Sequence, residues 1–352
     1  MQDVADQLAE TIRDAAARGR PLCVRGGGTK DFYGNALHGE PLHVSAYRGI
    51  VEYEPTELVI TARAGTPLAE IEHAMREKQQ MLAFEPPHFG GTATLGGCVS
   101  AGLSGPRRPH AGAVRDLVLG VRMLDGRGAD LRFGGKVMKN VAGYDVSRLM
   151  AGSLGTLGVL LEVSLKALPL PVAEVTLARE HSQAEAIALM NEWAGRPLPL
   201  SATCHVGSRL YVRLSGAAAA VRAARGAIGG EEVTDGAAFW ESVREQRHAF
   251  FGGPAPLWRL SLKSTTPPLN LPGQQLIEWG GALRWLKSGA NAQTVRDAAA
   301  FGGGHATLFR AAEKSAGAFH PLSPALARIH RRLKEAFDPA GILNPGRLYD
   351  WT

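Results

Sequence analysis

The residues Val24-Arg25-Gly26-Gly27-Gly28-Thr29-Lys30 set three glycines directly after a strand-like segment. Glycine reaches positive φ without steric cost and lets the backbone approach a ligand closely. Successive N–H groups in such a loop form a concavity that suits a diphosphate. Thr29 adds a hydroxyl donor and Lys30 a positive charge. A tight connection between two strands would use the same residues, so this loop alone leaves both readings open.

A second stretch, Gly91 to Arg108, mixes glycine, alanine, serine and threonine over 18 positions. A bulky planar ligand needs this clearance, with small side chains beneath a ring and backbone N–H groups at its polar edge. Leu95, Val99 and Leu103 recur at a spacing of four, which predicts a short buried helix with a glycine-lined face. Two common nucleotide motifs are excluded. A Walker A loop requires Ser or Thr after its lysine, and Asp31 follows Lys30. A dinucleotide fingerprint requires a third glycine where Asp31 stands, and Gly152-x-x-Gly155-x-x-Gly158 precedes its strand instead of following one.

The elements around these loops are short and glycine-broken. The pattern predicts a helix over 3–18 and strands at 22–25, 42–45, 49–53 and 58–63. It then predicts a helix opened by Thr66 as N-cap and Pro67 in the first turn, with Leu68, Ile71, Ala74 and Met75 on one face. VRDLVLGVRMLD and ADLRFGG read as a hairpin, and GVLLEVSLKAL (158–168) as the last strand of this half. Leu168-Pro169-Leu170-Pro171 marks a linker. Beyond it, strands and helices follow in β-α-β-β-α order, which suggests a small α+β layer. The tail reads as an amphipathic helix over 324–337 followed by DPAGILNPGRLY. No repeat of 20–50 residues is visible.

Composition narrows the class. The chain has 352 residues, 45% hydrophobic and 20% charged, as expected of a globular protein with room for two cores. Its N-terminus lacks the basic start and apolar run of a signal peptide, and no stretch is apolar enough to span a bilayer. Cys23, Cys98 and Cys204 are far apart and form no CxxC pair, so reduced thiols and a cytoplasmic location are expected. The net charge of +6 is concentrated between Gly105 and Arg148, with nine Lys/Arg against four acids. Such a patch suits an anionic membrane, an acidic partner or a phosphate-bearing ligand, or is simply a solvated face. Nucleic acid is disfavoured, because the basic residues alternate with strand residues rather than with exposed aromatics.

At this point the motifs resemble the FAD-binding domain of the vanillyl-alcohol oxidase and p-cresol methylhydroxylase superfamily. VRGGGTK is similar to its pyrophosphate loop and TLGGCVSAGLSGPRR to its second flavin loop. VRDLVLGVRMLDGRG is similar to the hairpin that follows. Asn140 to Leu149 and GSLGTLGVLLEVSLKALPLP are similar to its closing segment, and FDPAGILNPGRLY to its C-terminal signature. Within that superfamily, EPPHFGGTATLGG, FGGKVMKNVAGYDVSRLMAGSLGTLG and IEWGGALRWLKS resemble the small FAD-binding subunit of glycolate oxidase.

The resemblance implies an α+β chain. A two-subdomain FAD-binding domain would cover 1–171 and a smaller ferredoxin-like α+β cap 172–322. A helix and tail over 323–352 would pack back on the first domain. It implies that Arg25, Gly26, Gly27, Gly28, Thr29 and Lys30 hold the pyrophosphate. Gly96, Gly97, Ser100, Gly102 and Ser104 would line the flavin and its linker, and Gly155, Gly158 and Val159 would approach the ring system or adenine. Asn344 would bring the tail back. The position after Gly28 is Thr29 rather than a histidine or cysteine, so FAD is expected to be noncovalent. The family's H-x-G-D-G-N-like segment has only Gly302-Gly303-Gly304-His305-Ala306-Thr307 to match it, so no metal site is expected.

The implied reaction converts glycolate or D-lactate to the 2-oxo acid. Electrons would pass to an iron–sulfur subunit, in a complex with a larger FAD-binding subunit that is cytoplasmic or peripheral to the inner membrane. Such chemistry needs a cation for the carboxylate and a base for the hydroxyl proton. Candidates are Arg107, Arg259 and Arg284 for the cation, and His88, His110 and His305 for the base. His88, Arg107 and His305 form the catalytic expectation. Two readings stand: this chain oxidises the 2-hydroxy acid itself, or it bears flavin for electron transfer or assembly while a larger partner does the chemistry.

Overall fold

Proline and glycine punctuation divides the chain where the polypeptide forms two units. The computed structural model describes residues 2–135 and 145–351. The first unit comprises residues 1–103, 113–169 and 321–352, and the second 104–112 and 170–320.

Numbered along the chain, the first unit opens with α1 (Gln2–Arg18), whose Ala5, Leu8, Ala9, Ile12 and Ala15 are buried at helical spacing. β1 (Leu22–Arg25) and β2 (Glu40–His43) pair in parallel and flank the first glycine loop. β3 (Ile50–Glu54), β4 (Val59–Arg63), β6 (Val118–Leu124), β7 (Asp130–Gly134) and β8 (Val159–Lys166) form an antiparallel sheet in the order β3-β4-β8-β6-β7. β8 is buried on nearly every residue, as a central strand covered on both faces must be. β5 (Gln80–Met81) and β9 (Leu168–Pro169) add a short pair. Of the helices, α2 (Leu68–Glu77) buries Leu68, Ile71 and Met75, and α3 (Leu95–Ala101) follows the second loop. α5 (Val114–Leu117) and α6 (Val146–Leu149) are single turns.

The tail helix α11 (Pro324–Phe337) begins at Ser323, whose hydroxyl accepts from the Leu326 N–H, with proline in the first turn. It ends in a buried lock. Lys334 Nζ lies 2.8 Å from the Asp338 carboxylate and donates to the carbonyls of Thr156 (2.9 Å) and Leu343 (2.7 Å). Asp338 accepts from the N–H groups of Ile342 and Leu343. The chain then runs beside β1, where Leu22 N–H bonds Ile342 O and Asn344 N–H bonds Leu22 O.

The second unit holds α4 (Arg108–Ala111), α7 (Gln183–Ala194), α8 (Ala218–Ile228), α9 (Gly236–Arg244) and α10 (Ala292–Phe301). Its strands are β10 (Ala173–Glu180), β11 (Leu200–Val206), β12 (Arg209–Gly216), β13 (Glu231–Glu232), β14 (Leu257–Ser261), β15 (Gln274–Glu278), β16 (Leu283–Lys287) and β17 (His305–Arg310). They form one eight-stranded antiparallel sheet, β13-β10-β12-β11-β15-β16-β14-β17. Each half has the ladder order of a split β-α-β-β-α-β unit, and the halves meet edge to edge at β11 and β15. In the second half the first helix is replaced by the helix-free stretch 262–273. The layer is therefore twice the breadth that the β-α-β-β-α reading alone suggests. α7 and α8 cover one face of the sheet through Ile187, Met190 and Val221, and α10 through Val295 and Ala299.

Two local expectations are corrected. Thr66 does not cap α2: its hydroxyl accepts from the Gly49 N–H at 2.9 Å, and Pro67 occupies the N-cap instead. The basic residues from Gly105 to Arg148 are divided between the two units, and most of those described are ion-paired. Arg107 belongs to the second unit and pairs with Glu174. In the first unit Arg115 pairs with Asp116, Arg122 with Asp130 and Glu162, Arg127 with Asp125, and Arg148 with Asp145. Lys136, Lys139 and residues Asn140–Tyr144 of the family-like segment lie outside the described residues.

Candidate functional site

The first glycine loop leaves β1 at Arg25 and turns at Gly28, whose φ of 74° favours glycine. The turn is closed by Asp31 N–H on Gly28 O (3.1 Å) and by an ion pair between Arg25 and Asp31. Within it, the backbone N–H groups of Gly26, Gly27, Gly28 and Thr29 make no hydrogen bond among the described residues. Arg25 Nε is likewise buried without an acceptor among them. Four successive amides and a guanidinium nitrogen left without protein acceptors are costly unless something else supplies oxygen.

The second loop packs against the first. Thr92 donates its hydroxyl to Gly27 O at 2.8 Å. A Cβ on Gly27 would fall 1.5 Å from Thr92 O, and one on Gly26 would fall 2.3 Å from Thr94 Oγ1. These glycines are required by loop-to-loop contact as well as by any ligand. Thr94 then caps α3 by accepting from Gly97 N–H, and Gly102 closes it in the left-handed conformation, φ 66°. Gly96 sits so close to β4 that a Cβ would lie 2.8 Å from the Ala64 Cβ. Both loops open onto one cleft within the first unit.

One wall of that cleft is the loop from Arg25 to Asp31, and the other carries Ala64, Thr94, Gly96, Gly97, Ser100 and Ala101. Its floor includes Leu154, Gly155, Gly158, Leu160, Asn344 and Arg347. Among the titratable lining residues, Arg25, Lys30 and Arg347 face a single acid, Asp31. The cleft thus carries an excess of two positive charges. Lys30 Nζ is held by His88 O (3.2 Å) and lies over the Phe89 ring.

Not every expected residue lines this cleft. Arg25, Gly26, Gly27, Gly28, Thr29, Lys30, Gly96, Gly97, Ser100, Gly155, Gly158 and Asn344 do. Gly102 does not, because it is the C-cap of α3 and backs onto Gly152. Val159 is fully buried at the start of β8. Ser104 belongs to the second unit. Asn344 acts as a strut: its Oδ1 accepts from Val24 N–H (2.7 Å) and its Nδ2 donates to Leu154 O (2.6 Å).

Arg347 escaped the sequence reading. It is 4% exposed, and its guanidinium donates to the carbonyls of Lys30, Asp31 and Asn35. Burial lowers its pKa, and Asp31 opposes that shift. The signal that could have found it is an arginine inside the NPGRLY tail, where a solvated side chain would be the ordinary expectation.

The three catalytic candidates do not form one constellation. His88, in the first unit, places Nε2 3.2 Å from a Glu72 carboxylate oxygen. Arg107 and His305 both lie in the second unit. Arg107 binds the Glu174 carboxylate of β10 at 2.8 Å, whereas His305 starts β17. β10 and β17 are six strand spacings apart, roughly 29 Å along the sheet. Burial first, then the charges of Arg259 and His320, lower the His305 pKa. His110 is shifted the same way by burial, Arg107 and Arg213. Arg284 is fully buried and donates to the carbonyls of Gly281, Pro267 and Thr266, so it braces the helix-free stretch rather than facing a substrate. Trp279, at φ 55°, donates to Gly105 O and stacks under the guanidiniums of Arg108 and Arg259. Among the described residues no group of three or more His, Cys, Asp or Glu could hold a metal ion, and no helix is long and apolar enough to cross a membrane.

Comparison with known proteins places this geometry. Residues 3–134 match the family model described as FAD binding domain, and residues 315–348 that of FAD linked oxidases, C-terminal domain. The chain is 52% identical over 347 residues to "Glycolate oxidase subunit GlcE" of Escherichia coli K12, covering 99% of this chain and 98% of that protein. It is 30% identical over 185 residues to "Glycolate oxidase subunit GlcD" of Bacillus subtilis 168, covering 52% and 39% respectively. To a "D-lactate dehydrogenase" of Archaeoglobus fulgidus it is 30% identical over 168 residues, 47% of this chain and 37% of the other. A solved alkyldihydroxyacetonephosphate synthase shares the fold, with a TM-score of 0.67 at 15% identity, covering 97% of this chain and 75% of that one.

Proposed function

Since the chain belongs to the FAD-linked oxidoreductase family of glycolate oxidase subunit GlcE and its cofactor is FAD, we propose that it is the smaller FAD-binding subunit of a glycolate oxidase complex. The complex oxidises glycolate or D-lactate to the 2-oxo acid and passes electrons to an iron–sulfur subunit. Its other flavin subunit is a larger relative of this chain, consistent with the partial match to GlcD.

The observation that carries the reading is the row of four unbonded amides, Gly26 to Thr29, in a cleft with a twofold cationic excess. That is the complement of a doubly negative diphosphate. Gly26, Gly27, Gly28, Thr29 and Arg25 would hold the diphosphate, with Lys30 and Arg347 supplying field. Ala64, Gly96, Gly97, Ser100 and Ala101 would leave clearance for the flat portions of the molecule. Bound FAD supplies the two-electron acceptor. Among the described residues the lining contains no histidine, cysteine or tyrosine to form a covalent link, which supports noncovalent attachment. His88 remains our candidate base. His305 and Arg107 remain candidates as separate groups, since their spacing along the sheet prevents them from serving one small substrate atom-to-atom.

A specific observation favours the second reading, in which this chain bears flavin while the larger partner oxidises substrate. Two of the three arginines proposed for a carboxylate are already committed, Arg284 to three carbonyls and Arg107 to Glu174. Anaerobic mixing of the purified chain with glycolate separates the two. Bleaching of the flavin in the isolated chain supports intrinsic oxidation; an unchanged spectrum, with bleaching only in the assembled complex, supports the second. A colourless chain after gentle purification, with no flavin taken up from added FAD, would overturn both.

A further inference from the structure

Helix α11 closes the first unit, yet little of it is needed there. Of its 14 residues only Lys334 is buried, while Leu333 and Phe337 pack partly against the core. Two large aliphatic residues stand in solvent, Leu326 at 48% and Ile329 at 53% exposure. They are three positions apart, so with Leu333 and Ala336 they form one continuous apolar strip along a flank of the helix.

Arg328 and Arg332, one turn apart, border one edge of the strip, whereas Arg331 stands on the opposite side of the helix. Arg328, Arg331 and Arg332 are exposed, and none has a carboxylate partner among the described residues. Glu335, the only acid of the helix, pairs with none of them among those residues. Arg331 instead lies 4.6 Å over the ring of Trp351, which stacks on Tyr349 at 5.3 Å. Exposed aliphatic and arginine side chains side by side on one rigid element suit an interface.

We propose that this face of α11 docks a protein partner whose surface is acidic around an apolar pocket, and that the partner is the larger FAD-linked subunit. The proposal rests on the subunit reading above. A second copy of this chain fits poorly, because a two-fold contact would set the arginines against themselves. An anionic bilayer fits poorly too, since an interfacial helix needs a broad apolar face and here only one flank is apolar. An acidic protein surface satisfies both the strip and the guanidiniums of Arg328 and Arg332 beside it.

The test uses the full FAD-loaded chain and the purified larger subunit. Leu326→Asp with Ile329→Asp removes the strip, and Arg328→Glu with Arg332→Glu inverts the rim; both sites are exposed, and an unchanged flavin spectrum checks folding. The expected result is loss of about 100-fold in affinity for the first variant. For the second, we expect about 10-fold at low salt, with the wild-type salt dependence abolished. Wild-type affinity in both variants overturns the surface and leaves the subunit reading intact. No binding by the wild-type chain overturns the subunit reading and the surface with it. Binding of vesicles of phosphatidylglycerol and phosphatidylethanolamine, or self-association, that depends on Leu326 and Ile329 also overturns the proposal.

Discussion

In the first unit Arg25, Lys30 and Arg347 gather around an open cleft and outnumber its acid. In the second, Arg107, Arg213 and Arg284 are spent on the protein itself. Arg107 binds Glu174, and Arg213 donates to Ser201 and faces the same carboxylate. Burial pushes the Glu174 pKa up, but Arg213, Ser215 and Arg107 outweigh it and hold the group ionised below the usual carboxylate range. Register places Glu174, Arg213, Glu278, Arg259 and His305 on one face of the sheet, opposite α7, α8 and α10. The same residue type therefore prepares a charge for an absent anion in one unit and neutralises or braces backbone in the other. A cation is available to a ligand when too few acids around it offset its charge, and that is a property of the fold rather than of the residue.

The sharpest way to break the contrast is Gly27→Ala. The new methyl would collide with Thr92 O, forcing the two loops apart. FAD affinity should fall about a thousandfold, near 4 kcal/mol, read by flavin content after gel filtration. Retention of flavin would mean the loops need not touch.

Next in size is Arg284→Met, which strips hydrogen bonds from three carbonyls around a fully buried guanidinium. Stability of the second unit should drop by about 3 kcal/mol, while flavin absorbance is preserved. Five of the six tryptophans lie in that unit, so tryptophan fluorescence reports it separately from the flavin. Concerted loss of both signals would show the units are energetically one.

A smaller, pH-dependent effect sharpens the view of the cleft wall. Burial pushes the Cys98 thiol of α3 up from 9.0 to about 12. The folded state holds the proton where the unfolded state has released it. The stabilisation is therefore complete below pH 9 and is lost as pH rises toward 12. The loss is about 1.4 kcal/mol per unit over that window. Urea midpoints measured between pH 8 and 11 should show this slope, reduced in Cys98→Ala, and thiol reagents should not reach Cys98 in the native protein at pH 8.

The smallest expected change is Arg347→Lys, which keeps charge but loses the fork that spans three carbonyls. FAD affinity should weaken about tenfold, seen by fluorescence titration. No change would reduce Arg347 to a bystander of the cleft.

These cases also mark what the sequence could disclose. Both glycine loops were legible as close-approach backbone because glycine runs are a local signal, although the first alone left its role open, and α11 was legible to the residue because Ser323-Pro324 is a local start signal. Arg347, Asn344 and the Lys334–Asp338 lock were not legible in their contacts, since their hydrogen-bond partners lie up to 320 positions away. Thr66 misled because its hydroxyl found a better donor in Gly49 than in its own helix. Ser104 misled because the second loop passes from one unit to the other between Leu103 and Ser104.

The strut formed by Asn344 ties the earliest strand of the chain to nearly its last segment, and this has a consequence for biogenesis. The ribosome makes Gly26 to Thr29 more than 300 residues before the amide that steadies Val24 and Leu154. The pocket therefore stays unfinished throughout translation, and vitamin-derived cofactor is captured only by chains that have been completed. Nascent polypeptides arrested ahead of Asn344 should emerge colourless.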